Sequence, residues 1–394
     1  MIKVCYIITK LELGGAQKTA LYVAKSIDKN NFETFLITGV GGVLDKEIFG
    51  KIKLYQLKSL IREIKIFDDL KALIDIYSIL KKEKPDIVHT HSSKAGVLGR
   101  IAARLANIKI VLHTVHGYSF NETQSFLKKN LYVFAEKLCA KISDKLINVS
   151  KEDIKKGIKY KIASKNKFTL IRAGIDVNFY KNFIPETSLK EKLNIPKKAK
   201  ILTVISPFKA QKNLQDFIKA ANIVQEKHDD VFFLIVGDGR ERLKLENLIK
   251  TFKLQNKIIL LGWRNDVAHI LSNSDVFVLT SLWEGLPCAI LEAMASSKPV
   301  IANAVDGVKE IIEDGQTGFL IEPKNYQMTA EKMVYFCRNE SVRQKMGENA
   351  KNSITEEFDI NYNVKQHQDL YVDLFNKKTN LKEGKKHYEK HACF

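Results

Sequence analysis

The sequence predicts an α/β protein of two doubly wound domains, each built on a parallel sheet. Three observations predict it. Short β-rich runs alternate with runs of helical apolar spacing along most of the chain. The series restarts after a lysine- and proline-containing stretch near residues 180–198. The chain has 394 residues, more than one hydrophobic core usually supports.

In order, KVCYIIT reads as a strand, LELGGAQ as a glycine turn and TALYVAKSI as a helix. FETFLITGV follows as a strand, FDDLKALIDIYSILKKEK as a helix, PDIVHTHS as a strand, GVLGRIAARLAN as a helix and KIVLHTVHG as a strand. A helix near Phe126 to Ala140, the strand KLINVS and a strand in IRAGIDV leading into a turn close a first domain over residues 1–180. NFIPETSLKEKLNIPKKAK has the turn and charge content of a linker with one short helix. The second domain, 198–360, runs ILTVISP, helix NLQDFIKAANIVQ, strand VFFLIVGDG, helix RERLKLENLIKTF, strand KIILLGW, helix DVAHILSNS, strand DVFVLTS, helix AILEAMASS, strand PVIANA and strand GFLIEP. A helix over about 361–377 and a frayed polar tail over 378–394 end the chain.

The formal net charge of +19 is lopsided, because residues 1–185 carry 33 Lys and Arg against 17 Asp and Glu. The first domain therefore suits an anionic partner: nucleic acid, an acidic leaflet or a diphosphate-linked substrate. The basic residues form no RNP, helix-turn-helix or zinc pattern, so nucleic acid is set aside. No run approaches the roughly 20 apolar residues that span a bilayer, and the start has no signal-peptide form. Five scattered cysteines without CxxC spacing fit a reduced, cytoplasmic compartment. Only Cys393 has histidines nearby, His387 and His391, with no second thiol to complete a zinc site.

In open parallel sheets ligands bind beyond the carboxyl ends of the strands, so strand-to-helix turns are the places to look. In LTSLWEGLPCAILEAMASSKPVIA a strand ends, a turn with Gly285 and Pro287 follows, and a helix starts near Cys288. Free amides and the positive end of a helix dipole are the ingredients of a diphosphate site. Taken alone, Glu284 reads as a turn residue with little packing to lose, and Glu292 as a solvated helix glutamate. His89 and His91 alternate on one strand face, the spacing of a metal pair, but no third ligand is spaced to join them.

The string E-G-x-P-x-x-x-x-E followed by A-M-A-x-x-x-P-V-I-A resembles the signature of glycosyltransferase family 4. LGGAQ, HTVHG, IRAGID, VGDG and LGWRNDV extend the resemblance over about 370 residues. It implies a GT-B fold of two Rossmann-like domains, the last helix crossing back to the first, and sugar transfer with retention from a nucleoside-diphosphate sugar, UDP above all. It implies no cofactor and no bound metal. Carried over by residue, Glu284 would contact donor-sugar hydroxyls and Glu292 the ribose, with the amides of Gly285, Leu286, Cys288 and Ala289 around sugar and phosphate. Lys212 would supply the cation opposite the diphosphate. The arginine expected about five residues earlier is Pro207, which leaves Lys209 as the nearest cation. Gly14 and Gly15, His116 beside the donor sugar, Gly237 and Arg264 complete the donor set.

HSSKAG is similar to bacterial members that build lipopolysaccharide, capsule or exopolysaccharide. That likeness puts His91, Ser92, Lys94 and Arg100, with Arg104, at a lipid-linked or polyprenyl-diphosphate-linked saccharide acceptor; the alternative for the cations is a helix surface. In SFLKKNLYVFAEKLCAKISDKL, Phe126, Leu127, Leu131, Val133, Phe134 and Leu138 interleave with lysines. Such a helix fits either an anionic membrane surface or a core with a wet side. With the charge of this half, a cytoplasmic protein peripheral at the inner face of the membrane is expected. A sugar-nucleotide epimerase of the same fold would need titratable groups for proton transfer at the sugar carbon. A non-catalytic binding protein would not need Glu284, Glu292, His116 and Lys212 together.

Overall fold

The computed structural model describes residues 1–391 apart from 49 and 123, with side chains described to residue 380. It divides into two compact units, residues 1–172 with the segment from 360 onward, and residues 173–359.

The first unit is a seven-stranded sheet in the order β3-β2-β1-β4-β5-β6-β7. Its strands are β1 (Ile2–Ile8), β2 (Phe32–Gly39), β3 (Lys53–Leu57), β4 (Ile87–His91), β5 (Ile110–Val115), β6 (Lys145–Asn148) and β7 (Phe168–Leu170). All pairings are parallel. Around it lie α1 (Gly15–Ser26), α2 (Ile66–Glu83), α3 (Ser93–Leu105), α4 (Phe126–Lys141) and α5 (Lys151–Lys159). Strand β3 is absent from the sequence reading. It is an edge strand carrying Lys53, which bridges to Glu83, so its apolar alternation is diluted by charge. IRAGIDV is not a strand either; β7 lies just before it, and Ile175 makes only an isolated bridge to Asp359.

The strand order reverses between β1 and β4, and the loops that leave their carboxyl ends are tied together there. The Thr9 amide donates to Ser92 Oγ at 3.2 Å, and the two hydroxyls lie 2.7 Å apart. Helix α3 sits close on the sheet through Gly96, where a Cβ would lie 2.5 Å from His113 Cε1.

The final helix, Ile360–His391, belongs to this unit and continues past residue 377, where the sequence reading begins a frayed tail. Its Val364, Tyr371 and Leu374 enter the core formed by β1, β2 and α1. The Tyr371 hydroxyl meets Tyr6 at 3.1 Å and His89 Nδ1 at 2.6 Å. The site considered at Cys393 with His387 and His391 lies outside the described side chains.

The second unit is a six-stranded parallel sheet, β10-β9-β8-β11-β12-β13. Its strands are β8 (Lys200–Ile205), β9 (Val231–Val236), β10 (Ile258–Gly262), β11 (Val276–Leu279), β12 (Val300–Asn303) and β13 (Gly318–Ile321). Its helices are α6 (Val177–Asn182), α7 (Leu189–Lys192), α8 (Leu214–Gln225), α9 (Arg242–Thr251), α10 (Val267–Ser272), α11 (Cys288–Ala295), α12 (Tyr326–Arg338) and α13 (Glu340–Ser353). The unit starts at 173 rather than 198, because the Ile175 amide donates to the Phe358 carbonyl and α6 packs on α11. Here the order reverses between β8 and β11.

Five histidines are packed in the first unit. Burial, with repulsion from neighbouring imidazoles and Arg100, holds His89, His91 and His113 well below the usual histidine range, and holds His116 and His367 at about 4. Unfolding releases imidazoles that take up protons near 6.5. The folded state is thus fully favoured above that value and loses stability as pH falls from about 6.5 through about 4. The Glu83 carboxyl, drawn down to about 2 by Lys53 and Tyr55, titrates below that window. The melting temperature is expected to fall by several degrees between pH 7.5 and pH 5; a flat profile in scanning calorimetry would contradict the buried neutral cluster.

Candidate functional site

The two loops at the β8/β11 reversal are fastened to each other. Gln211 receives the Leu282 amide on its carbonyl at 2.8 Å and donates its Nε2 to the Trp283 carbonyl at 2.7 Å. The Thr280 hydroxyl lies within bonding distance of the Lys212 and Asn213 carbonyls, and Asn303 Nδ2 donates to the carbonyls of Thr280 and Ser281. Held this way, Lys212 Nζ forms an ion pair with Glu284, and both side chains are largely buried, 14% and 7% exposed. The Glu284 amide donates to Asp306 at 3.0 Å. Glu284 is therefore no loosely held turn residue, and the expectation that it has little packing to lose is corrected: removing it strands a buried lysine.

Helix α11 begins directly after this turn with Pro287 as its cap. Gly285 and Leu286 are buried, while Cys288 and Ala289 are partly exposed in the first turn, where amides have no partner within the helix. Glu292 lies about one turn along and is buried, 9% exposed, not solvated. The Tyr180 hydroxyl hydrogen-bonds it, and burial plus the Glu292 charge push the phenol well up. Sequence reading missed Tyr180, since a lone aromatic in the linker carries no signal of its own.

Gly237, after β9, has φ +128, and a Cβ there would lie 2.0 Å from the Ser206 carbonyl oxygen, so only glycine fits. Arg264 is held by Asp266, with contacts of 2.7 and 2.5 Å. Lys209 precedes the short turn that carries Lys212. Pro207 is partly exposed beside it.

In the first unit Gly14 caps α1 and Gly15 opens it. The acceptor residues read from the sequence fare differently from the donor residues. Arg100 is fully buried, its Nε on the Gly96 carbonyl at 2.7 Å and its Nη2 on Glu136 at 3.0 Å, because it lies on the α3 face that packs against α4. It is not offered to a ligand. Arg104 is likewise engaged by Asp144 at 2.6 Å. Lys94 is paired with Asp69 of α2. The Ser92 hydroxyl is the strap to Thr9 already described. His91 is buried, with Nδ1 3.1 Å from His116 Nε2; His116 itself, beyond β5, is partly exposed. His89 and His91 are no metal pair, since His89 is bonded to Tyr371 and Thr114. Among the described residues no three His, Cys, Asp or Glu groups are placed to hold a metal ion.

The model of the Glycosyltransferase Family 4 domain matches residues 13–179, and that of glycosyl transferases group 1 matches residues 185–353. An Escherichia coli UDP-Gal:α-D-GlcNAc-diphosphoundecaprenol α-1,3-galactosyltransferase is 36% identical over 377 residues, covering 95% of this chain and 97% of that one. This chain is a family 4 glycosyltransferase. A Campylobacter jejuni N,N'-diacetylbacillosaminyl-diphospho-undecaprenol α-1,3-N-acetylgalactosaminyltransferase is 27% identical, covering 89% and 93% of the two chains. Anabaena HepE, solved with UDP and glucose, superposes with a TM-score of 0.81 at 20% identity over 95% of this chain and all of that one, which establishes the GT-B fold.

In this glycosyltransferase the Lys212 and Glu284 charges depend on each other. Lys212→Met is expected to cost about 3 kcal/mol, the usual scale for stranding one partner of a buried pair. Lys212→Met combined with Glu284→Gln should recover most of that loss. Denaturant unfolding of both variants measures it, and equal losses would show that the pair is not coupled.

Proposed function

We propose that this enzyme transfers a hexose or N-acetylhexosamine from a UDP-sugar to a polyprenyl-diphosphate-linked saccharide, with retention, in the synthesis of a cell-surface polysaccharide. The observation that carries the reading is the buried Lys212–Glu284 pair at the amino end of α11, with Glu292 behind it. The 36% identity to a galactosyltransferase acting on a diphosphoundecaprenol-linked sugar supports the choice of substrates. Galactose is the first donor sugar to test.

Departure of UDP builds negative charge on the leaving phosphate. Lys212 and the first amides of α11 are fixed in advance to receive it, which is worth most where water is excluded. Glu284 holds donor-sugar hydroxyls and keeps the Lys212 ammonium in place, and Glu292, steadied by Tyr180, holds the ribose. Gly14 and Gly15, His116, Gly237, Arg264 and Lys209 complete the donor contacts, Lys209 standing in for the arginine that Pro207 replaces. The departing phosphate takes the proton of the incoming hydroxyl, so no side-chain base is assigned. No resident metal ion is required, and turnover should persist in EDTA.

The acceptor brings its own anchor. On α4, Phe126, Leu127, Leu131, Phe134 and Leu138 are 47–81% exposed, and only Val133 of the apolar set is buried. On and before α2, Ile64, Ile66, Phe67, Leu70 and Ile74 are 55–90% exposed, a row that the sequence reading did not pick out. These apolar rows, on a unit carrying most of the positive charge, support attachment to an anionic membrane surface. No helix among the described residues is long and apolar enough to cross a membrane.

Slow release of UDP from UDP-galactose without acceptor is the direct test of the donor site. Glu284→Gln, which keeps the shape of the side chain, should lower it at least a hundredfold while the protein stays folded; undiminished release would overturn the assignment. Binding to liposomes containing anionic lipid should weaken when salt rises from 50 to 500 mM and when Phe67 and Phe126 become serine. Binding indifferent to both would remove the membrane reading.

A further inference from the structure

His91 and His116 share a single hydrogen bond, Nδ1 of one to Nε2 of the other at 3.1 Å. Both rings are neutral near pH 7, held below the usual range by burial. A neutral imidazole carries one N–H. Only two arrangements are then open. If His116 Nε2–H donates, His91 carries its proton on Nε2 and His116 Nδ1 is a bare acceptor. If His91 Nδ1–H donates, His91 Nε2 is bare and His116 Nδ1 carries a proton. The proton on His91 Nε2 therefore decides which face of His116 is offered to a ligand.

His91 Nε2 is buried and has no hydrogen-bond partner in the protein. The ring borders a small cavity with room for about one water-sized sphere, lined also by His116, Asn363 and His367, the last two from the C-terminal helix. Asn363 Nδ2 donates to the Arg172 carbonyl, and its Oδ1 is buried without a partner. His367 Nδ1 lies 2.8 Å from the Asn363 carbonyl oxygen, which can only accept. His367 thus carries its proton on Nδ1, and its Nε2 is an acceptor. The helix presents acceptors to this cavity, so the missing donor is His91. The volume suits one water, which would accept from His91 Nε2–H and donate to Asn363 Oδ1 and His367 Nε2, the three bonds typical of buried water.

We propose that His91 is a positioning residue, oriented by Asn363 and His367, that keeps His116 in its Nε2–H form with Nδ1 bare. His116 then accepts a hydrogen bond from a donor-sugar hydroxyl and does not donate one to the diphosphate. The catalytic consequence rests on the reading of His116 given above; the tautomer does not. His91 accordingly leaves the acceptor set and acts through the donor side.

Long-range 1H–15N spectra of the full chain labelled with 15N-histidine read the tautomers directly at pH 7.5, with His116 assigned by its loss in His116→Gln. His116 and His91 are both expected as Nε2–H, and His367 as Nδ1–H. His116 found as Nδ1–H overturns the proposal, whether or not the protein turns over sugar. In His91→Leu, kcat for UDP release should fall ten- to a hundredfold with KM for UDP-galactose within threefold, and the His116 signals should become a mixture. His91→Asn, which restores an acceptor near the Nδ1 position, should regain at least half of the wild-type rate. Asn363→Leu should shift the His116 signals in the same sense as His91→Leu. Unchanged His116 signals in both leucine variants also overturn it.

Discussion

A parallel sheet cannot turn back on itself with hairpins; each strand needs a crossover, and where the crossovers change sides two neighbouring strands send their chains away in opposite directions. That leaves one gap per sheet beyond the carboxyl ends, between β1 and β4 in the first unit and between β8 and β11 in the second. The candidate residues cluster at or beside these gaps. Thr9 and Ser92 strap one, and Gln211, Thr280 and Asn303 strap the other. The gap alone would be a flexible opening. The straps make it a fixed surface on which a lysine, a glutamate and a row of amides keep their places.

What the sequence made legible follows from this. Strand and helix alternation is a local property, and it exposed both sheets except where a strand was short and charged, as with β3, or where chain direction imitated a strand, as in IRAGIDV. The turn before α11 was equally visible, because glycine, proline and two glutamates at fixed spacing are written in consecutive residues. Partnership across the fold was not. Nothing local tells that Arg100 turns inward to Glu136, that Lys94 meets Asp69 or that Tyr180 reaches Glu292. Cations on an amphipathic helix look the same whether the face they occupy is wet or covered by another helix. The acceptor set included two such cations, and all four of its members prove to be held within the protein or buried.

The first unit also shows how a strongly basic domain can keep a neutral interior. Its lysines are outside, many in ion pairs, while the core holds histidines, tyrosines and Arg100 with Glu136 beside it. Burial denies the imidazoles their protons, so the polar cluster adds hydrogen bonds without adding charge. The exposed apolar rows on α2 and α4 lie on the same unit as most of the positive charge.

The last helix imposes an order on the birth of the protein. Tyr371 fills the core against β1, yet about 190 residues of the second unit separate it from the end of the seventh strand region at Arg172. At the usual pace of synthesis the ribosome needs on the order of ten to forty seconds to add them. Throughout that interval the nascent first unit has no partner for the Tyr6 hydroxyl or for His89 Nδ1. The second unit, whose sequence is contiguous, is complete before the first, although it is made later.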